Sequence, residues 1–150
     1  MSQAIKRLYE SMILEHNKNP RNFSEITPCS HHSHGKNPLC GDDYFVYIMV
    51  EDNRIKNISF KGEGCAISKA SGSLMTEFLT GKTVEEVIAV KNNFLSFISS
   101  DTCEKTKTTL GKLKVFEGVK QFPVRVKCAA LVWRTLEDAL ESQCGTISTE

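Results

Sequence analysis

The stretch Asp43–Lys61, "DYFVYIMVEDNRIKNISFK", decides how the rest of the chain is arranged. Two runs rich in β-branched and aromatic residues flank "EDNR", a polar segment suited to a tight turn. Such side chains fit a pleated, half-buried surface, so the stretch reads as a β-hairpin. On its N-terminal side the period changes. "SQAIKRLYESMILEH" sets Ile5, Leu8, Tyr9, Met12 and Ile13 at helical spacing, with Ser2 as N-cap. Pro20 ends that helix by disfavouring helical backbone at Asn19. The polar segment from Ser24 to Leu39, with its "CSHHSHG", reads as a loop. On the C-terminal side, "AISKASGSLMTEFLTGK" carries an apolar stripe of Ile67, Ala70, Leu74, Met75, Phe78 and Leu79, and Gly81 suits its C-cap. Thr83 and Glu86 form a capping box for a helix through about Phe97. "SSDTCEKTKTTLGK" has no clear period and reads as a connector. After "QFPVRVKC" a last helix puts Leu131, Val132, Thr135, Leu136, Ala139 and Leu140 on one face. Helix, strands, then helices, with no internal repeat and no linker, predict one α+β domain over residues 1–150, its helices packed on a small antiparallel sheet.

The 150 residues are 40% hydrophobic and 25% charged, the composition of an ordinary soluble domain. Nineteen basic and eighteen acidic residues leave a formal charge of +1, which gives no reason to expect nucleic acid or an anionic membrane as partner. "MSQAIKRLYE" lacks the apolar core of a signal peptide, and the longest apolar run, "YFVYIMV", is too short to span a bilayer. The expected location is the cytoplasm. In that reducing compartment six cysteines favour metal or sulfur chemistry, with a disulfide framework as the alternative.

Three cysteines fall at the ends of elements, where side chains can converge without disturbing a core. Cys40, in "KNPLCGDDYF", precedes the first strand of the hairpin. Cys65 follows the second strand, where "GEGC" opens a helix and Gly62 and Gly64 permit close backbone approach. Cys128 reads as lying in the opening turn of the last helix. Helix N-termini stabilise thiolates through unpaired N–H groups and the helix dipole. Adding Asp42 gives three sulfurs and one oxygen, the number of ligands a tetrahedral zinc takes. In an extended segment residues two apart point to one side, so Cys40 and Asp42 can face one metal while Gly41 takes the turn. Structural zinc sites usually carry paired C-x-x-C knuckles, and neither is present. Small buried thiols are therefore the competing reading.

Beyond spacing, "NPLCGDD", "GEGCAISKASGSLM" and "FPVRVKCAALVW" resemble the three cysteine motifs of the IscU/NifU-like family of iron–sulfur assembly proteins. "LYESMILEHNKNPRNF" resembles that family's opening helix and turn, so the resemblance runs from Leu8 to Leu140. The position before the third cysteine, usually histidine in the scaffold branch, is Lys127. An extra stretch from about Ser99 to Lys120 resembles the SufU-type branch. The resemblance implies an IscU-like α+β fold with about three strands, and a zinc ion held by Cys40, Asp42, Cys65 and Cys128. It also implies sulfur transfer. Cys40 would accept the outer persulfide sulfur of a pyridoxal-phosphate cysteine desulfurase of the SufS kind and pass it to a downstream iron–sulfur scaffold protein.

Arg125 and Lys127 flank Cys128 and would either offset the charge of such a centre, meet the partner's surface, or simply be solvated. Within the family the alternative is a scaffold on which iron and sulfide form a labile [2Fe–2S] cluster. Outside it are a structural zinc-binding interaction domain, and a cysteine hydrolase taking its base from His16 or the "HHSH" cluster. The family's strand before the first motif falls here on "TPCSHHSHGKN", whose β-propensity is weak. Cys29, His31, His32 and His34 are either a second metal site or exposed polar residues. Cys103 and Cys144 match no motif.

Overall fold

The computed structural model describes residues 2–99, 109–142 and 146–148. At its centre, strand β2 (Asp42–Glu51) pairs antiparallel with β3 (Arg54–Glu63). Asp52 and Asn53, the two residues between them, take φ of 52° and 62°. Two positive φ values in a two-residue connection match the right-handed twist of the flanking strands, and Asp and Asn tolerate them. Alternation then sends Tyr44, Val46 and Ile48 into the core, together with Ile58 and Phe60 from β3.

A third strand, β1 (His31–Asn37), lies antiparallel to β2 in a register from His31 opposite Ile48 to Asn37 opposite Asp42. It falls in the polar segment that composition reads as a loop. Its inward positions are Ser33, Gly35 and Asn37, all buried and none apolar. The cause is the helix α4 (Pro123–Ser142), which packs closely across them. Ser33 Oγ donates to Asp138 Oδ2 at 2.5 Å, and a Cβ at Gly35 would sit 2.0 Å from Thr135 Oγ1. Small and hydrogen-bonding side chains are what this gap admits. A short strand β4 (Thr146–Ser148) runs parallel to β1, giving the order β3-β2-β1-β4. The three antiparallel strands are those the family resemblance implies; the parallel fourth is an addition.

The remaining helices are α1 (Gln3–Lys18), α2 (Ala66–Leu79) and α3 (Val84–Ser99), with a 3₁₀ stretch at Gly111–Gln121. Helix α4 touches β1, β2, α2, α3 and the 3₁₀ stretch, while α1 packs on α2. Phe94 stacks on Trp133 with centroids 4.6 Å apart and meets Phe116 edge-on at 5.7 Å. The expected connector falls mostly on 100–108, outside the described residues. The 3₁₀ stretch joins the core through Leu113, Phe116 and Val119.

Helix ends follow their local chemistry. Ser2 Oγ accepts from the Ile5 N–H at 3.2 Å, and Gly81 takes φ +88° after α2. Thr83 Oγ1 accepts from the Glu86 N–H at 3.1 Å while Glu86 Oε1 accepts from the Thr83 N–H at 2.9 Å. Replacing Thr83 with alanine is expected to cost about 1 kcal/mol. The check is a lower urea midpoint at unchanged slope. At α4 the boundary differs from the expected one. Pro123 itself begins the helix, where its missing N–H costs nothing, so Cys128 lies in the second turn and not the opening one.

Candidate metal centre

Four residues, numbered 38–41, join β1 to β2, and Cys40 is the third of them. Its N–H donates to the Asn37 carbonyl at 3.2 Å. Gly41 comes next with φ +70° and nothing within 4 Å of where a Cβ would be, so the position needs glycine for conformation, not for space. Cys40 is thus on a turn rather than in an extended segment. The turn, not strand alternation, brings it to the same place as Asp42.

Asp42 opens β2 and is only 2% exposed. Its Oδ1 accepts from the Cys65 N–H at 2.8 Å and from Ser68 Oγ at 3.0 Å. Gly64 makes this approach feasible: a Cβ there would lie 2.4 Å from Asp42 Oδ1 and 2.7 Å from Ser68 Oγ. Cys65 is the N-cap of α2, with its sulfur accepting from the Ser68 N–H at 3.5 Å. Cys128 comes in from α4, 1% exposed, with its sulfur 2.9 Å from that of Cys40.

The donor atoms of Cys40, Asp42 and Cys128 lie within 4.8 Å of one another, the one such three-donor group among the described residues. The Cys65 sulfur stands outside that group, turned to its capping role. It still lines, with Cys40 and Cys128, a cavity of about 750 Å³. Tyr9 and Ile13 of α1, Val119 and Phe122 form much of the apolar wall.

Two observations bear on whether this set suits a cation. Asp42 Oδ2 is buried without a hydrogen-bond partner, a costly state that a cation between it and the two sulfurs would relieve. Burial, and then the neighbouring Cys40 and Asp42, push the Cys128 thiol up; a cation would reverse that preference and favour thiolate. The residues fit a thiophilic divalent ion.

Other expected residues divide. Arg125 borders the cavity, its guanidinium 4.9 Å from the Phe122 ring centre, whereas Lys127 is exposed and does not line it. His16 is buried 2.6 Å from Ser73 Oγ and does not line the cavity, which removes it as a base for Cys40. Strand alternation sets His31 on the face opposite His32 and His34, which stack on Tyr47 and Phe45. His34 Nε2 meets Asp43 at 2.5 Å, His31 meets Ser30 at 2.9 Å, and Cys29 lies 3.9 Å from His32. They form no three-donor cluster among the described residues. Cys103 and Cys144 fall outside the described residues. The sequence reading missed Asn37 and Ser68. Ser68 had a signal, since a side chain three residues past the N-cap is well placed to serve it.

Fold and site together describe a small α+β protein whose cysteines meet where the strand ends of an antiparallel sheet approach the start of its helices. The chain belongs to the NifU-like N-terminal domain family of iron–sulfur cluster assembly proteins, whose model matches residues 8–140. It is 33% identical over 141 residues to the zinc-dependent sulfurtransferase SufU of Bacillus subtilis (strain 168), covering 94% of this chain and 95% of that one. It is also 33% identical over 137 residues to the iron–sulfur cluster assembly scaffold protein IscU of Thermotoga maritima, covering 91% and 95%. The crystal structure of FiSufU from Fervidobacterium islandicum AW-1 matches with a TM-score of 0.81 at 34% identity, covering 94% of this chain and all of that one. No helix among the described residues is long and apolar enough to cross a membrane.

Proposed function

We propose that this chain, as one domain, is a zinc-dependent sulfurtransferase of iron–sulfur cluster assembly, with Cys40, Asp42, Cys65 and Cys128 as ligands and Cys40 as sulfur acceptor. The observation that carries this reading is the inequality of two sulfurs 2.9 Å apart. Cys128 is buried in the second turn of a core helix, whereas Cys40 is half-buried on a turn whose glycine has no close neighbours. One sulfur is fixed and the other is free to leave. Cys65 would complete the ligand set by exchanging its cap bond to Ser68 for the ion, a rotation about its own Cα–Cβ bond. Bound zinc would keep the thiolates deprotonated at neutral pH without itself changing oxidation state. Three thiolates, a carboxylate and the ion sum to about −2, of which Arg125 at the cavity edge offsets half. Lys127 is left to meet a partner.

The transfer balances without an added oxidant. The Cys40 thiolate attacks the outer sulfur of a persulfide on a pyridoxal-phosphate cysteine desulfurase of the SufS kind. A sulfur–sulfur bond forms at Cys40, the donor's bond breaks, and the donor cysteine departs as thiolate. A second exchange of the same type passes the sulfur to a thiol of the downstream scaffold. Such chemistry belongs in a reducing cytoplasm.

A second reading makes the chain a scaffold, with iron and sulfide as cargo on the same donors. It is supported by the equal similarity to IscU-type relatives. Lys127, standing where the scaffold branch carries histidine, removes one cluster ligand and speaks for transfer. Metal and acid-labile sulfide content decides between them, on protein purified anaerobically beside Asp42→Ala and Cys128→Ser. Expected is about one zinc per chain, no sulfide, and loss of zinc from both variants. Iron and sulfide in equal amounts would replace transfer with scaffolding, and zinc kept by both variants would overturn the ligand set.

A further inference from the structure

Asn37, the last residue of β1, is fully buried and reaches three of the four proposed ligands. Its carbonyl accepts from the Cys40 N–H at 3.2 Å. Its backbone stands opposite Asp42 in the β1–β2 register. Its side-chain Nδ2 donates toward the Cys128 sulfur at 3.8 Å. The other end of the same amide tells why it is there. Asn37 Oδ1 is buried without a partner, so the side chain is not held for its own hydrogen-bonding balance. An amide with one end unsatisfied is a poor choice for core packing beside Ser33 and Gly35. What it supplies is an N–H aimed at a sulfur, which fixes that sulfur's orientation.

We infer that Asn37 is the positioning residue of the centre: its side-chain N–H anchors the Cys128 sulfur at the buried corner. The inference rests on the metal-centre reading and adds to it the residue that holds its fixed ligand. The carbonyl contact to Cys40 survives any substitution at this position, so variants isolate the side chain's effect on Cys128. In Asn37→Ala both the donor and the unsatisfied acceptor disappear. In Asn37→Asp the shape is kept and the donor becomes an acceptor.

The test uses the full chain loaded with zinc, followed by release to excess chelator, by thermal midpoints of the metal-stripped forms, and by mass mapping of which cysteines alkylate. Zinc is expected to be held about 10- to 100-fold more weakly in Asn37→Ala, the usual cost of losing a hydrogen bond to a ligand. The metal-stripped midpoint is expected to be unchanged, and Cys128 to alkylate faster relative to Cys65. Asn37→Asp is expected to lose zinc at least as readily, and decides the matter if the alanine variant does not fold. Wild-type zinc retention in both variants overturns the inference. So does a midpoint that falls in step with zinc loss, because a merely structural role would lower both. A wild-type chain that takes up no zinc sinks the sulfurtransferase reading instead, and the Cys128-to-Cys65 alkylation ratio in the metal-free chains still decides the role of Asn37.

Discussion

Cys40→Ser is expected to accept no sulfur: incubated with a cysteine desulfurase and labelled cysteine, it falls at least about a thousandfold below wild type. A hydroxyl cannot form the sulfur–sulfur bond, and among the described residues no neighbouring thiol is placed to take its role. Cys128 is 1% exposed on a core helix, and Cys65 is tied to the cap of α2. The turn itself survives, because Gly41 supplies its φ of +70° whatever stands before it. Intact mass and retained label give the readout. Label kept by the serine variant would move the acceptor role to another cysteine and remove the central step of the proposed transfer.

Trp133→Ala is expected to have the largest effect on folding. Trp133 is fully buried, stacked 4.6 Å from Phe94, and its Nε1–H donates to Ser71 Oγ at 3.1 Å. That hydroxyl in turn donates to the Ala129 carbonyl at 2.7 Å, tying α2 to α4. Truncation therefore leaves a cavity and breaks a buried polar chain at once. The loss is expected to be about 3–5 kcal/mol, a large share of the total stability of a domain this size. Urea unfolding measures it; a loss below about 1 kcal/mol would mean that Trp133 is not the centre of the core.

The hairpin was legible in the sequence because its determinants are local: alternating β-rich runs and a two-residue turn whose Asp52 and Asn53 accept positive φ. Strand β1 was not, because its pattern is one of size and not of hydrophobicity. Ser33, Gly35 and Asn37 face a helix more than eighty residues away in the chain, and only the packed molecule shows why they must be small or polar. The start of α4 was misplaced for a different reason. "FPVRV" is rich in β-branched residues, but its proline is a sound first helical residue once tertiary contacts favour the helix.

At the site, Cys40, Cys65 and Cys128 were singled out by their positions at element ends and Asp42 by its spacing from Cys40; the structure groups the donor atoms of Cys40, Asp42 and Cys128. The capping bond of Cys65 and the amide of Asn37 were not legible in the sequence. A cysteine at an N-cap and a lone asparagine before a turn carry no metal signature; their roles exist only as distances.

The contact between Gly35 and Thr135 has a mechanical consequence. Thr135 lies seven residues beyond Cys128 on α4, about 10 Å along the helix axis, and Gly35 lies two residues before Asn37 on β1. A Cβ at Gly35 would lie 2.0 Å from Thr135 Oγ1, so a methyl group there can be housed only if α4 moves off β1. Gly35→Ala is therefore expected to weaken zinc retention from a point in the core that no ligand occupies, because α4 carries Cys128 and β1 leads into the turn bearing Cys40.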